Sequence, residues 1–176
     1  GGFWALSATL AHQRQFPAVD WDVSYSMYVE PTGAWFAREA GADWAGLRRS
    51  TLERLQREGE LREIAGLVGA DALQDKDRLL LESMRLVREV VLGQNVYDPN
   101  DAVSSIAKTH DLAALAHALH EAALAALDRG TNLDELELDL GPARKALAAL
   151  RSAPAAVFAE HARRTGLPFL YCNLVG

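Results

Sequence analysis

The fold is decided by one continuous stretch, which reads TLERLQREGELREIAGLV (51–68), GADALQDKD (69–77), RLLLESMRLVREVVL (78–92) and GQNVYD (93–98). Apolar residues recur at intervals of three and four in both long segments, which predicts two amphipathic helices. The first apolar stripe consists of Leu52, Leu55, Leu61, Ile64 and Val68, and the second of Leu80, Met84, Val87 and Val91. Because only a short acidic turn joins the two helices, they should pack against each other in antiparallel fashion.

The ends of these two helices are marked by particular residue types. The first helix is predicted to start after Asp43 and to end before Gly69, which suits a left-handed C-terminal cap. Asp75 or Asp77 should cap the second helix, since a carboxylate binds free amide groups and opposes the helix dipole. Gly93 is expected to end that helix.

The N-terminal part is rich in aromatic residues. Residues 3–6 (FWAL) predict a short buried strand, and residues 7–15 predict a short helix capped by its leading serine. Pro17 ends that helix, so residues 16–21 are expected to form a stiff loop. Residues 22–44 are interpreted as irregular, with one short helix near residues 34–40.

The C-terminal part is predicted to be helical. A third helix should follow Asp98-Pro99 and end at Gly130, while residues 131–140 fit either a short helix or an extended piece. Two further helices are expected at residues 143–150 and 155–164, separated by a proline. The chain is therefore predicted to be mainly α, a helical bundle with a short β edge at its N-terminus.

Composition limits the classes of function. The 176 residues are 49% hydrophobic and 24% charged, which is typical of a folded helical protein that forms one domain, with or without an attached edge piece. The net charge of -6 gives no support to nucleic-acid binding. No apolar run reaches about 18 residues, so no membrane insertion is expected. Cys172 is the single cysteine, which favours a reducing compartment.

The sequence lacks the motifs of several enzyme classes. It contains no G-x-x-x-x-G-K-[ST] phosphate loop and no G-x-G-x-x-G dinucleotide motif. It also contains no G-x-S-x-G nucleophile motif and no H-E-x-x-H metal motif. We therefore assign no catalytic residue within the chain.

Two groups of residues raise the question of a metal site. His110, His117 and His120 lie at steps of seven and three, which returns them to similar positions around a helix. A partly solvated helix face is the preferred interpretation, and a metal-dependent helical enzyme is the alternative, which requires bound metal after purification. The acidic turn lacks the spacing and the closing Glu of an EF-hand, so it is interpreted as a capping turn. No metal is assigned.

Phe16 and Tyr97 are aromatic residues on predicted loops, and Gln94 and Asn95 precede Tyr97. One interpretation is that both rings pack in the core or against their loops. The other is a slot in which a planar base stacks between the rings, with the two amide side chains close by. The residue pattern alone leaves both open.

Several motifs, in order along the chain, match one family. The residues FWAL (3–6), FPAVDW (16–21) with SYS (24–26), LQRE (55–58), and QN followed by Tyr97 stand in the same order as F-W-A-L, F-P-A-[IV]-[ND]-W…S-Y-S, L-Q-R-E and Q-N-A-[YF]. In these positions the chain resembles the catalytic alpha chain of archaeal/vacuolar-type rotary ATPases. The match runs from residue 3 to about residue 98.

The resemblance implies a place within a larger subunit. Residues 1–44 would be the C-terminal edge of a nucleotide-binding domain, and residues 45–176 a helical C-terminal domain. Phe16 and Tyr97 would flank an adenine, with Gln94 and Asn95 beside it. The resemblance further implies that ATP or ADP with Mg²⁺ binds in the parent protein to a phosphate loop outside this chain, and that the chain alone is not catalytic.

The resemblance also implies partners. The turn from Ala70 to Asp77 would contact the central stalk through Asp71, Gln74, Asp75 and Asp77, and the B (beta) subunits would be neighbours. ATP turnover would then drive proton or sodium transport by a complex whose head is cytoplasmic and peripheral to the membrane. A stand-alone helical module for protein–protein interaction is the alternative function.

Overall fold

The computed structural model describes residues 1–154, and these residues form a helical bundle with a small β-hairpin at the N-terminus. The elements are β1 (Gly2–Leu6), α1 (Ala8–His12), β2 (Val19–Ser26), α2 (Val29–Glu39), α3 (Trp44–Val68), α4 (Asp75–Val87), α5 (Ile106–Asp128) and α6 (Leu133–Arg151). A 3-10 turn (Ala70–Ala72) precedes α4, and a π-helical segment (Arg88–Leu92) extends it. The prediction of a mainly α bundle with a short β edge is confirmed. The helix predicted at residues 155–164 lies outside the described residues.

The two central helices have the predicted bounds, but α4 is capped differently. Gly69, with a φ of 89°, follows the last residue of α3. Gln74 rather than Asp75 or Asp77 occupies the N-cap position of α4, and it makes no side-chain cap bond. Both aspartates lie in the first turn of α4, where they still oppose the helix dipole.

The stripe predicted for α3 is buried over only part of its length. Leu55 and Leu61 are 2% and 1% exposed, whereas Ile64 and Val68 are 43% and 60% exposed. Almost every residue from 62 to 72 is exposed, so the last two turns of α3 extend beyond the helices that cover its middle. The prediction that Ile64 and Val68 pack in the core is therefore wrong.

The core lies between α3, α4, α5 and α6. Within the described residues, α6 is one helix, whereas the sequence pattern predicts separate pieces before and after residue 142. Its buried side chains recur at steps of three and four, and they are Leu133, Leu136, Leu140, Ala143 and Leu147. Burial of this continuous stripe outweighs the loss of one backbone hydrogen bond at Pro142.

The helix predicted after Asp98-Pro99 begins later. Residues 98–102 form turns in which the Asp98 carbonyl accepts bonds from the amides of Asp101 (3.0 Å) and Ala102 (2.8 Å). Helix α5 starts at Ile106, and the Ser105 hydroxyl caps it by accepting the Lys108 amide at 3.1 Å. The turns at Asp98 replace the first predicted helical turns because serine provides the better N-cap.

The N-terminal hairpin is more regular than predicted. Strands β1 and β2 are antiparallel, with Gly2 opposite Ser26 and Leu6 opposite Val19. Residues 19–26 are thus a strand rather than loop and irregular chain, and α2 is longer than the helix expected near residues 34–40. The short helix α1 is capped as predicted by Ser7, whose hydroxyl accepts the Leu10 amide at 3.3 Å, but it ends at His12.

The hairpin is also exposed, so the prediction of a buried first strand is wrong. Trp4 and Leu6 are each 79% exposed, and Met27 is 70% exposed. Other large apolar residues of the hairpin that face solvent are Phe3, Val23, Tyr25 and Tyr28. No helix among residues 1–154 has the length and apolar character needed to cross a membrane.

Candidate functional site

The loops that carry Phe16 and Tyr97 contact each other. The Phe16 carbonyl accepts a hydrogen bond from the Gln94 amide at 2.6 Å, which ties residues 13–18 to the Tyr97 loop, defined here as residues 93–105. Phe16 is 48% exposed and Tyr97 is 92% exposed, so neither ring belongs to the core. Two aromatic side chains that are far apart in sequence thus lie on loops joined by a backbone bond and accessible to solvent.

The amide side chains of Gln94 and Asn95 help to shape the Tyr97 loop. The Gln94 Nε2 donates to the Asp101 carbonyl at 3.3 Å, and the Asn95 Oδ1 accepts the Tyr97 amide at 3.1 Å. One polar group of each side chain is therefore used inside the loop. Their first role in the geometry is to order the backbone that presents Tyr97.

A buried carboxylate lies beneath the Tyr97 loop. Asp101 is 1% exposed, and its Oδ2 accepts the Asn95 amide at 2.5 Å. The Nε of Arg151 lies 3.0 Å from the same oxygen, as an ion pair rather than an aligned hydrogen bond. Another Arg151 donor, Nη1, binds the Glu89 carbonyl at 2.5 Å. Arg151 therefore contacts the chain on both sides of residues 90–100.

Lys108 completes this cluster from the first turns of α5. Its Nζ donates to the carbonyls of Asn100 (2.8 Å) and Ala153 (3.4 Å), and also to that of Arg151. Burial lowers the pKa of Lys108, while the charges of Asp101 and Asp98 raise it in part. A hydrogen bond with the Ser152 side chain lowers the pKa of Asp98. Sequence reasoning missed this cluster because its members are polar and far apart in the chain.

A cleft of about 300 Å³ lies between the N-terminal part and the bundle. Aromatic and aliphatic side chains dominate its lining, among them Trp21, Phe36, Trp44, Leu55 and Leu92. Phe36 and Trp44 stack with ring centroids 4.3 Å apart. None of the four residues predicted to surround an adenine lines this cleft, so the loop pair and the cleft are separate features.

The three histidines of α5 have different partners. His117 Nε2 lies 2.8 Å from the Thr51 hydroxyl, and its Nδ1 accepts from Arg54 at 2.8 Å. His120 Nδ1 lies 2.9 Å from the Ser83 hydroxyl. Burial, together with the charge of Arg54, lowers the pKa of both imidazoles to about 4. Within residues 1–154, no three His, Cys, Asp or Glu side chains are grouped so as to hold a metal ion.

His110 instead joins α5 to the start of α3. Its two ring nitrogens lie 3.0 Å from Asp111 Oδ1 and 2.9 Å from Asp43 Oδ1. Burial lowers the pKa of His110, but the two carboxylates outweigh burial, and the pKa is raised overall. A Cβ at Gly41 would lie 2.9 Å from this imidazole, so the close approach requires glycine.

The acidic turn caps the end of the α3–α4 pair opposite the Tyr97 loop. Asp71, Gln74 and Asp75 are exposed, while Asp77 is partly covered and lies 3.8 Å from Arg57. Leu67 is 87% exposed next to this turn. Together with Ile64 and Val68 it forms an apolar flank, part of which the sequence pattern assigns to the core.

A buried ion cluster joins α3 to α4 and faces β2. The Glu58 side chain is 3% exposed and binds Arg88 at 2.5 Å and Arg62 at 2.8 Å. Burial and the nearby carboxylates of Asp20 and Glu58 raise the pKa of Asp22 on β2. Periodicity places Glu58 near the buried face of α3, but it does not reveal the arginines that neutralise it.

Comparison with known proteins gives consistent matches. Residues 33–137, more than half of the chain, match the family described as the C-terminal domain of V and A type ATP synthase. The V-type ATP synthase alpha chain of Anaeromyxobacter dehalogenans is 47% identical over 141 residues, which is 80% of this chain. The corresponding A-type ATP synthase protein of Haloferax volcanii is 42% identical over 135 residues, 77% of this chain.

These relatives are much longer than the chain. The matched region covers 24% of the Anaeromyxobacter protein and 23% of the Haloferax protein. The corresponding A-type ATP synthase protein of Methanosphaera stadtmanae is 41% identical over 144 residues, which is 25% of its own length. The chain thus spans about a quarter of the curated relatives it matches.

Proposed function

The chain belongs to the family of C-terminal domains of V- and A-type ATP synthases, and from this we propose that it acts as the C-terminal part of a catalytic subunit. The parent protein hydrolyses or makes ATP and couples this to rotor movement and to proton or sodium transport. Residues 1–44 are the edge of its nucleotide-binding domain, and residues 45–176 are its helical domain. The head of the complex, with B (beta) subunits as neighbours, is cytoplasmic and peripheral to the membrane.

The contact between the Phe16 and Tyr97 loops is the observation that carries the proposal for nucleotide binding. The 2.6 Å bond from the Gln94 amide to the Phe16 carbonyl fixes the two loops against each other, while both rings stay accessible. An adenine that stacks on these rings gains dispersion and loses apolar area to water. Such a site selects a flat base without needing a charge at that position.

The same proposal explains why the chain requires the rest of the protein. Phosphoryl transfer depends on a phosphate-binding loop and Mg²⁺ ligands, and the sequence has no such loop. ATP or ADP with Mg²⁺ therefore binds mainly to residues outside this chain. The adenine contacts contribute part of the affinity and make the helical domain sensitive to nucleotide.

The acidic turn is the proposed contact with the central stalk. It lies at the start of α4, and the Tyr97 loop follows the end of the same helix, so one rigid element joins the two sites. When the nucleotide site opens or closes, the bundle swings about its connection to the hairpin as a hinged unit. Asp71, Gln74 and Asp75 are exposed at the moving end, and Asp77 lies behind them.

The exposed hairpin supports the assignment of residues 1–44 to an edge. Its large apolar side chains form a patch of a kind that soluble proteins usually cover with another surface. The remainder of the nucleotide-binding domain is the occupant we propose. A β-hairpin whose apolar residues face solvent is the expected edge of a larger domain.

The adenine proposal is tested by Tyr97→Ala in the full-length catalytic protein, assembled in its complex. Loss of one stacking partner, worth about 1–3 kcal/mol, should raise the KM for ATP about 5-fold or more. Tyr28→Ala is the matched control, because Tyr28 is also exposed but lies on the hairpin side of α2. Equal KM values for Tyr97→Ala and the unmodified complex would contradict the proposal.

A further inference from the structure

We propose that Arg151 and Asp101 are positioning residues for the nucleotide contact, so that the end of α6 sets the position of the Tyr97 loop. This inference deepens the proposed function and rests on it. Neither residue touches the base. Both act through the backbone of residues 89–101, which carries Gln94, Asn95 and Tyr97.

Arg151 contacts the chain before and after the tip of the Tyr97 loop. Its Nη1 donates to the Glu89 carbonyl at 2.5 Å, in the π-helical segment that leads into the loop. Its Nε lies 3.0 Å from Asp101 Oδ2 on the far side. Because the guanidinium is planar and rigid, two contacts through different nitrogens fix the separation of the two chain segments.

Asp101 passes this constraint on to the residues that present the base contact. Its Oδ2 accepts the Asn95 amide at 2.5 Å, and its carbonyl accepts Gln94 Nε2 at 3.3 Å. The Asn95 Oδ1 in turn accepts the Tyr97 amide at 3.1 Å. A continuous series of contacts therefore runs from Arg151 to the backbone of Tyr97.

Helix capping is the simpler role for such charged residues, and the geometry separates it from positioning. Lys108 binds the carbonyls of Arg151 and Ala153, which are acceptors at the end of α6. Capping of α6 is thus provided by Lys108. The Arg151 guanidinium binds Glu89 and Asp101 rather than its own helix, so its contacts serve the loop.

The test compares Arg151→Gln, Arg151→Lys and Arg144→Gln in the full-length protein within its complex. Arg144 is the matched control because it is on the same helix and lies 3.6 Å from Glu82, away from the loop. Hydrogen exchange of the amides of residues 94–98 and the KM and kcat for ATP are measured for each variant.

Arg151→Gln should speed exchange at residues 94–98 about tenfold and raise the KM for ATP severalfold, with kcat little changed. Arg151→Lys should recover only part of both effects, since one ammonium group does not reproduce two contacts from a planar fork. Arg144→Gln should change neither quantity. Unchanged exchange at residues 94–98 in Arg151→Gln would overturn the inference.

Two further outcomes separate this inference from the proposed function. If Tyr97→Ala raises KM but Arg151→Gln does not, the adenine site stands and the positioning role fails. If Tyr97→Ala has no effect on KM, the adenine site fails, and the nucleotide role of Arg151 fails with it. Should Arg151→Gln not assemble, the double variant Asp101→Asn with Arg151→Met removes both charges together and undergoes the same measurements.

Discussion

Two buried histidines determine how the folded chain responds to acid. His117 and His120 are 8% and 6% exposed, and their hydrogen bonds suit the neutral imidazole. Burial holds the pKa of each near 4, whereas a histidine in an unfolded chain titrates near 6.5. Between these values the unfolded chain binds more protons than the folded chain.

We therefore expect the free energy of unfolding to decrease as the pH falls from about 6.5 to about 4. His120→Asn should flatten this dependence, because the amide has no proton to gain, and urea unfolding at a series of pH values measures it. The exposed His12→Asn is the control and should keep the original slope. A slope unchanged by His120→Asn would contradict the assignment.

His110 acts in the opposite direction. Its carboxylate partners Asp43 and Asp111 raise the pKa above the usual value, so the folded chain holds this proton more tightly than the unfolded chain. Its contribution to stability is complete below about pH 6.5 and is lost as the pH rises through the raised pKa. The helix α5 thus carries histidines of both kinds.

Single residues are the hardest part to predict from sequence. Phe16, Gln94, Asn95 and Tyr97 stand out mainly through the family resemblance, and whether they bind adenine is a prediction that the Tyr97→Ala experiment decides. The buried state of Asp101 has no local signal, since an aspartate that follows proline and asparagine is typical of exposed turns. Its burial depends on Arg151, which lies far away in the chain.

At the scale of elements, α3 and α4 are joined by charge as well as by apolar packing. Glu58 is buried, and the guanidinium groups of Arg88 and Arg62 neutralise it from the end of α4 and from the next turn of α3. Removing one partner of a buried pair leaves an uncompensated charge, which is more costly than loss of the attraction itself.

Glu58→Gln should lower the free energy of unfolding by about 3 kcal/mol, measured by urea denaturation at neutral pH. The exposed Glu53→Gln, on the same helix, should change it by less than about 0.5 kcal/mol. A result in which both variants unfold at the same urea concentration would show that Arg62 and Arg88 do not depend on Glu58.

Elements are predicted well where one periodic pattern runs without interruption. The bounds of α3 follow from Asp43 and Gly69 because the pattern between them is long. The division of α6 at Pro142 is wrong, since a local rule about proline carries less weight than the stripe from Leu133 to Leu147. Strand β2 escapes prediction because its pairing with β1 is a tertiary contact that no local pattern records.

At the scale of the whole molecule, the exposed end of the bundle combines acid with apolar surface. Asp71 and Asp75 are exposed beside Leu67 and Val68, and the salt bridge from Lys76 to Asp128 holds the turn against α5. A basic stalk surface with apolar side chains would complement both features. The proposed stalk contact therefore involves α3 as well as the acidic turn.

Leu67→Ser with Val68→Ser should reduce ATP-driven ion transport per ATP hydrolysed in the reconstituted complex, with hydrolysis itself less affected. Asp71→Asn with Asp75→Asn should do the same and should also weaken the salt dependence of the coupling. Glu30→Gln with Glu39→Gln, exposed on α2, is the control for charge removal away from the turn. Full coupling in both test variants would refute the stalk contact.

The length of α3 has a mechanical consequence. With 25 residues and a rise of about 1.5 Å per residue, its axis measures about 37 Å from Trp44 to Val68. By this geometry, a tilt of about 10° at Trp44 moves the far end by roughly 6 Å, more than one helical pitch of about 5.4 Å. The helix is a lever arm that amplifies an ångström-scale adjustment near its base into a displacement large enough to exchange one set of side-chain contacts for the next.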